Sequence, residues 1–119
     1  MDKITTKRKE LKEKFKQMKP DMGIFAIRAN HVDKCYIEGA TDLRSRINRT
    51  KFQLEFGNFP NEELQKDWKE HGEDNFTIEI LEKLKYDEDE TKTDYNDDLA
   101  LLKMVWEEKL LQNGMRFYK

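Results

Sequence analysis

The chain has 119 residues, 36% hydrophobic and 40% charged, with thirteen aromatic side chains and a formal net charge of −2. That length sets one domain with a thin core and a heavily solvated surface, and the aromatic content argues against a disordered chain. No apolar run reaches the roughly 18 residues of a membrane span, the N-terminus is charged from Asp2 onward with no signal-like apolar stretch, and the lone Cys35 excludes an internal disulfide or a Cys-rich zinc site, so a cytoplasmic protein without membrane contact is expected.

Residues 3–19 read as a helix, because Ile4, Leu11, Phe15 and Met18 fall on one face at 3.6 residues per turn and Pro20 ends the pattern. Its surroundings are basic: residues 1–21 carry eight Lys/Arg against four Asp/Glu. An amphipathic helix laid on the domain is the plainer expectation, and a basic helix addressing nucleic acid the sharper one. Met22 to Arg28 alternates like a strand, Ala29 to Asp33 supplies turn residues, and Cys35-Tyr36-Ile37 returns, which predicts a β-hairpin.

Thr41 or Asp42 is the expected N-cap of the next helix. Its buried stripe would be Leu43, Ile47, the aliphatic stem of Lys51, and Leu54, with Gly57-Asn58 as terminator. A second helix starts near Pro60-Asn61, has Glu62 and Glu63 where the helix dipole favours acids, and closes at His71-Gly72. Phe76, Ile78 and Ile80 alternate as a third strand. Residues 86–98 read as a polar loop, since 87–98 hold seven Asp/Glu against one Lys. Leu99, Leu102, Trp106 and Leu110 predict a last amphipathic helix ending at Asn113-Gly114, followed by a short extended tail. Neither His31 nor His71 has a second His or Cys at ligand spacing, so no zinc site is expected.

The order hairpin, two helices, strand, helix now carries specific residues. Gly23-Ile24-Phe25 is followed by Tyr36-Ile37-Glu38, eleven residues from one motif aromatic to the other. Then come Gly39-Ala40-Thr41-Asp42-Leu43-Arg44-Ser45-Arg46, and later Leu64-Gln65-Lys66-Asp67-Trp68, His71-Gly72 and Phe76 to Leu81. This set resembles the GIY-YIG nuclease family in its intron-endonuclease-like branch, over roughly residues 22–113. The resemblance implies an α+β sandwich-like fold with a small three-stranded, mostly antiparallel sheet flanked by helices. Here it forms a single domain over 1–119, with residues 1–20 as an extra N-terminal helical extension.

In active members, the resemblance implies, hairpin tyrosines orient or deprotonate a water, the helix arginine neutralises the phosphate, and a glutamate on the later helix holds one divalent ion. Tyr36 matches the second motif tyrosine and Arg46 the arginine, which makes them the family-matched catalytic positions; Arg46 and Arg49 would form a nucleic-acid-binding patch. The departures bear on chemistry. Phe25 replaces the first tyrosine and lacks its hydroxyl. Glu38 replaces a glycine and shares a strand face with Tyr36. Thr50 stands near the place of a family histidine. Matching the family aromatic to Trp106 puts Lys103 at the metal-binding glutamate's position, and a protonated lysine cannot ligate Mg²⁺.

The expectation is a GIY-YIG fold with an eroded active site, serving as a binding module for nucleic acid (DNA) or for a protein partner, with little or no cleavage. No cofactor and no metal ligand is expected on that reading. The alternative is a metal-dependent DNA endonuclease whose site is reworked around Glu38 or Glu107, which would require Mg²⁺ or Mn²⁺. A further alternative is a regulatory protein-interaction domain, using the basic N-terminal segment and the acidic 87–98 loop.

Overall fold

The computed structural model describes residues 19–119; the helix expected over 3–19 falls almost wholly outside the described residues. Strand β1 (Met22–Ala29) and strand β2 (Lys34–Ala40) form the expected antiparallel hairpin, pairing Phe25 with Glu38 and Ile27 with Tyr36. Strand β3 (Phe76–Leu84) pairs antiparallel with the other edge of β1. β1 is therefore central and covered on both faces, which is why six successive residues, Met22 to Ile27, are all buried.

One expectation about the sheet is corrected. It has four strands in the order β3-β1-β2-β4, and it is mixed. The tail read as extended supplies β4 (Arg116–Phe117), which runs parallel to β2, with Arg116 N donating to the Asp33 carbonyl and Tyr118 N to the Cys35 carbonyl. Two residues are too few to carry a periodic signal, so this strand exists because β2 offers an open edge rather than because of its own pattern.

Helix α1 (Leu43–Phe56) is capped by Asp42, whose carboxylate accepts from Ser45 N, and ends at Gly57, which adopts φ 79°. That left-handed conformation suits glycine, the only residue without a Cβ to clash. Its buried residues are Leu43, Thr50 and Leu54, with Ile47 partly buried. Lys51 is exposed rather than laid along the core, and Thr50 takes the inward position one residue earlier. Helix α2 (Glu62–His71) is capped by the Asn61 side chain, which accepts from Leu64 N. Helix α3 (Asn96–Gln112) begins within the segment read as a loop, because Asp97 and Asp98, polar as they are, suit a first helical turn.

The core divides into two layers across the sheet. On one side Phe25, Ile27, Leu43, Leu54, Phe59, Leu64, Trp68 and Phe76 join β1 and β3 to α1 and α2. On the other, Ile24, Cys35 and Ile37 meet Leu99 and Leu110 of α3, with Leu102 and Trp106 packed alongside. The sandwich of helices on both faces of a small sheet is the expected architecture. It places the start of β1, the end of β2, the start of α1 and the start of α3 at one end of the molecule.

Candidate active site

The motif glycine Gly23 has a physical reason. A Cβ built on it would lie 2.1 Å from the Glu82 carbonyl oxygen of β3. The ladder between β1 and β3 shifts register between Ile24 and Phe25, and close backbone approach beside that irregularity admits only glycine. The neighbouring motif residue, Phe25, is 0% exposed and sits in the core layer under α1 and α2. An apolar ring is what that position rewards, and a hydroxyl there would need a partner.

Across the hairpin, Tyr36 and Glu38 share a face, as their two-residue spacing requires. Tyr36 packs its ring edge-on against Phe59, at 5.3 Å between centroids. Its hydroxyl donates to Glu38 Oε1 at 2.9 Å. The other carboxylate oxygen, Oε2, accepts from Arg46 Nε at 2.9 Å. Glu38 thus clamps the two family-matched positions to each other. Burial, the Glu38 charge and the hydrogen bond to it all push the Tyr36 phenol above its ordinary value, against the opposing pull of Arg46. The phenol therefore stays protonated at neutral pH and acts as a donor to Glu38; as it stands it is no base for a water.

Beside this clamp is a cleft of about 350 Å³ lined by Gly39 to Asp42, Ser45, Arg46, Arg49, Asn96 and Leu99. Arg46 and Arg49 lie three apart on α1 and so share a face. Among the described residues Arg49 has no ion-pair partner, and both arginines are exposed. Ser45, Thr41 and the Asn96 side chain add neutral hydrogen-bonding groups to the rim. The arrangement can bind an anion of phosphate size through two guanidinium groups.

The α3 positions expected to bear on a metal are also placed. Lys103 lies one turn beyond Leu99, which lines the cleft, and its Nζ is 3.9 Å from Glu107 Oε1. The Trp106 indole donates to Glu82 Oε1 at 2.9 Å, fixing the register of α3 on the sheet edge. Among the described residues neither Glu38 nor Glu107 belongs to any cluster of three ligand atoms within 4.8 Å of one another. The hard-cation site that the resemblance implies does not fit this donor set: one carboxylate is occupied by Tyr36 and Arg46, and the other is paired with a lysine.

The sequence offers neither His31 nor His71 a second His or Cys at ligand spacing, but the fold brings the two together. The hairpin turn and the end of α2 bring their rings into a stack with centroids 3.9 Å apart, each with Nε2 near Asp67 Oδ1. Forty residues of sequence separation concealed this; the available signal was that Asp67 and His71 are four apart on a predicted helix, and so share a face.

No family model matches the chain, and no curated relative matches it. Solved structures do. The catalytic domain of the intron endonuclease I-TevI, in a mutant form, is similar with a TM-score of 0.64 and 25% identity, over 83% of this chain and 92% of that one. A second structure, the catalytic domain of the homing endonuclease I-TevI, is similar with a TM-score of 0.64 and 23% identity, over 82% of this chain and 98% of that one. The fold is therefore that of a GIY-YIG nuclease domain.

Proposed function

We propose that this protein is a nuclease-fold module that binds DNA through Arg46 and Arg49 and has little or no cleavage activity. The observation that carries the reading is the Glu38 clamp, whose one carboxylate engages both the Tyr36 hydroxyl and the Arg46 guanidinium. Three further features support it. Phe25 has no hydroxyl and is sealed in the core. Tyr36 is held protonated. Lys103 brings a positive charge where the resemblance calls for a metal-binding carboxylate.

Phosphodiester hydrolysis needs an activated water and compensation of the charge gathering on the phosphate. The arginine cleft supplies the second requirement alone. Each 1.36 kcal/mol of lost transition-state stabilisation is about tenfold in rate, so the absence of several parts together suppresses turnover far more than binding. Binding survives because it draws on charge and exposure, which Arg46 and Arg49 retain.

The test is a paired measurement on the full chain. Supercoiled plasmid with Mg²⁺ or Mn²⁺ is expected to stay intact, while a fluorescent duplex binds with salt-sensitive affinity. Replacing Arg46 and Arg49 by Ala removes up to two phosphate contacts and should flatten the slope of log K against log salt by about 1.8. Nicking that disappears in Arg46→Ala would establish an active enzyme with a rebuilt site. A lack of DNA binding at low salt would instead leave a protein partner as the ligand of this face.

A further inference from the structure

At the end of the sheet away from the arginine cleft, a cavity of about 740 Å³ opens between the β1–β2 turn, α2 and the C-terminal strand. Three potential ligands converge on its wall: His31 from the turn, and Asp67 and His71 from successive turns of α2. His31 Nε2 is 3.3 Å from Asp67 Oδ1, and His71 Nε2 is 3.2 Å from the same oxygen. We propose that His31, Asp67 and His71 form a binding site for a first-row transition-metal dication of the Zn²⁺ type. This site is separate from the arginine cleft and does not depend on the DNA-binding reading.

The distances carry the assignment. Metal bonds to imidazole nitrogen and carboxylate oxygen are about 2.0–2.2 Å long, so two ligand atoms in a tetrahedral shell stand about 3.4 Å apart. Both separations are close to that edge length, and all three ligand atoms lie within 4.8 Å of one another. A cation entering the triangle needs only small rotations of the side chains. Two imidazoles and one carboxylate select a borderline ion such as Zn²⁺ over Mg²⁺ or Ca²⁺, which prefer oxygen alone.

The surroundings are arranged as metal sites require. The Tyr118 hydroxyl donates to Asp67 Oδ2, the oxygen that the histidines do not use, and so fixes the carboxylate's orientation from behind. Phe76 meets the His31 ring edge-on, with centroids 5.6 Å apart at 84°, which limits the ring's swing. Three protein ligands leave a fourth position, and the cavity gives that position access to water or to a small donor. Structurally, the ion would tie the hairpin turn to α2 and, through Tyr118, to the terminal strand.

The chain makes the experiment clean, because His31 and His71 are its only two histidines. Chelator-treated full-length protein should bind one Zn²⁺ per chain by titration calorimetry, and both imidazole spin systems should shift together in nitrogen-correlated spectra. Co²⁺ should give the visible absorption of a four-coordinate ion without a thiolate charge-transfer band, since the lone Cys35 is buried elsewhere. His31→Ala and His71→Ala should each weaken binding at least about tenfold to a hundredfold. The His71 side chain is 43% exposed, so its truncation leaves the fold intact, as an unchanged circular dichroism spectrum of the metal-free protein would verify. Equal Zn²⁺ affinity in wild type and His71→Ala overturns the site. So does a thiolate band with Co²⁺, or a titration in which neither imidazole moves, which would leave a histidine–carboxylate ion pair only.

Discussion

Replacing Glu38 by Gln tests the clamp at its centre, because it keeps the side chain's shape and removes its charge. In the wild type the carboxylate accepts one hydrogen bond from Tyr36 and one from Arg46, each 2.9 Å long. A charge-assisted hydrogen bond is worth about 1.5–3 kcal/mol against about 1 for a neutral one, so the Tyr36 bond loses about 1 kcal/mol. The Arg46 side chain is 43% exposed, which places its pair with Glu38 near the lower range for surface ion pairs, about 0.5 kcal/mol. The stability cost is therefore about 1.5 kcal/mol, or roughly a 5 °C fall in Tm for a domain of this size. DNA binding should move the other way. Freed of its carboxylate, Arg46 no longer gives up an ion pair when it meets a phosphate, so low-salt affinity should tighten by about twofold, equivalent to the roughly 0.5 kcal/mol of that pair. Fluorescence anisotropy of a labelled duplex across a salt series, run beside a thermal melt, reads both effects. A lowered Tm with unchanged low-salt affinity would refute the reasoning, because it would mean that Arg46 answers only to Glu38.

Gly23→Ala should destabilise the fold by about 3 kcal/mol, the upper end of the overpacking range, because its Cβ meets a backbone carbonyl at 2.1 Å that has no rotamer by which to yield; urea denaturation measures it, and a loss below about 1 kcal/mol would contradict the contact. Tyr36 gives a pH prediction. Its phenol is raised in the folded state above the ordinary 10.0, so the unfolded chain loses that proton first and binds fewer protons between the two values. Its contribution to stability is therefore full below about pH 10 and declines as pH rises above it, by at most about 1.4 kcal/mol per pH unit. Stability curves for wild type and Tyr36→Phe should converge in that alkaline range, and parallel curves would refute the shift.

The parts of this molecule that the sequence disclosed are those whose signal is local. Asp42 could be read as one of two candidate caps, and a helix start could be placed near Asn61, because a cap is a side chain meeting a backbone amide three residues on. Gly57 could be read as a terminator because its handedness is its own. The hairpin followed from alternation and a turn. The parts that stayed hidden depend on partners far along the chain. β4 is a strand only because Asp33 and Cys35 present carbonyls to it. Thr50, rather than Lys51, is buried beside Leu43 and Leu54 on the inward face of α1. At the arginine cleft the shared helix face of Arg46 and Arg49 was legible, as was the same-face relation of Tyr36 and Glu38. The bridge from Glu38 to Arg46 was not, since it joins a strand to a helix eight residues away.

The two motif tripeptides divide by physical duty, and that division argues for the proposed loss of chemistry. Gly23 answers to β3, whose carbonyl would meet any Cβ placed there, so folding alone retains it. The Phe25 ring answers to the core, which is satisfied by an aromatic face and indifferent to the missing hydroxyl. Gly39, one residue after Glu38, keeps the close approach to Ile24 and Leu99, where an added Cβ would stand 3.3 Å and 3.5 Å from their side chains, so the second strand still closes against α3. Every motif feature that packing requires is present. The features that differ include a hydroxyl, a carboxylate introduced beside Tyr36 and a lysine on α3, and packing is indifferent to these three. A site held only by the fold would look this way, and the Glu38 clamp adds the one new interaction that a working phosphate site would have to break.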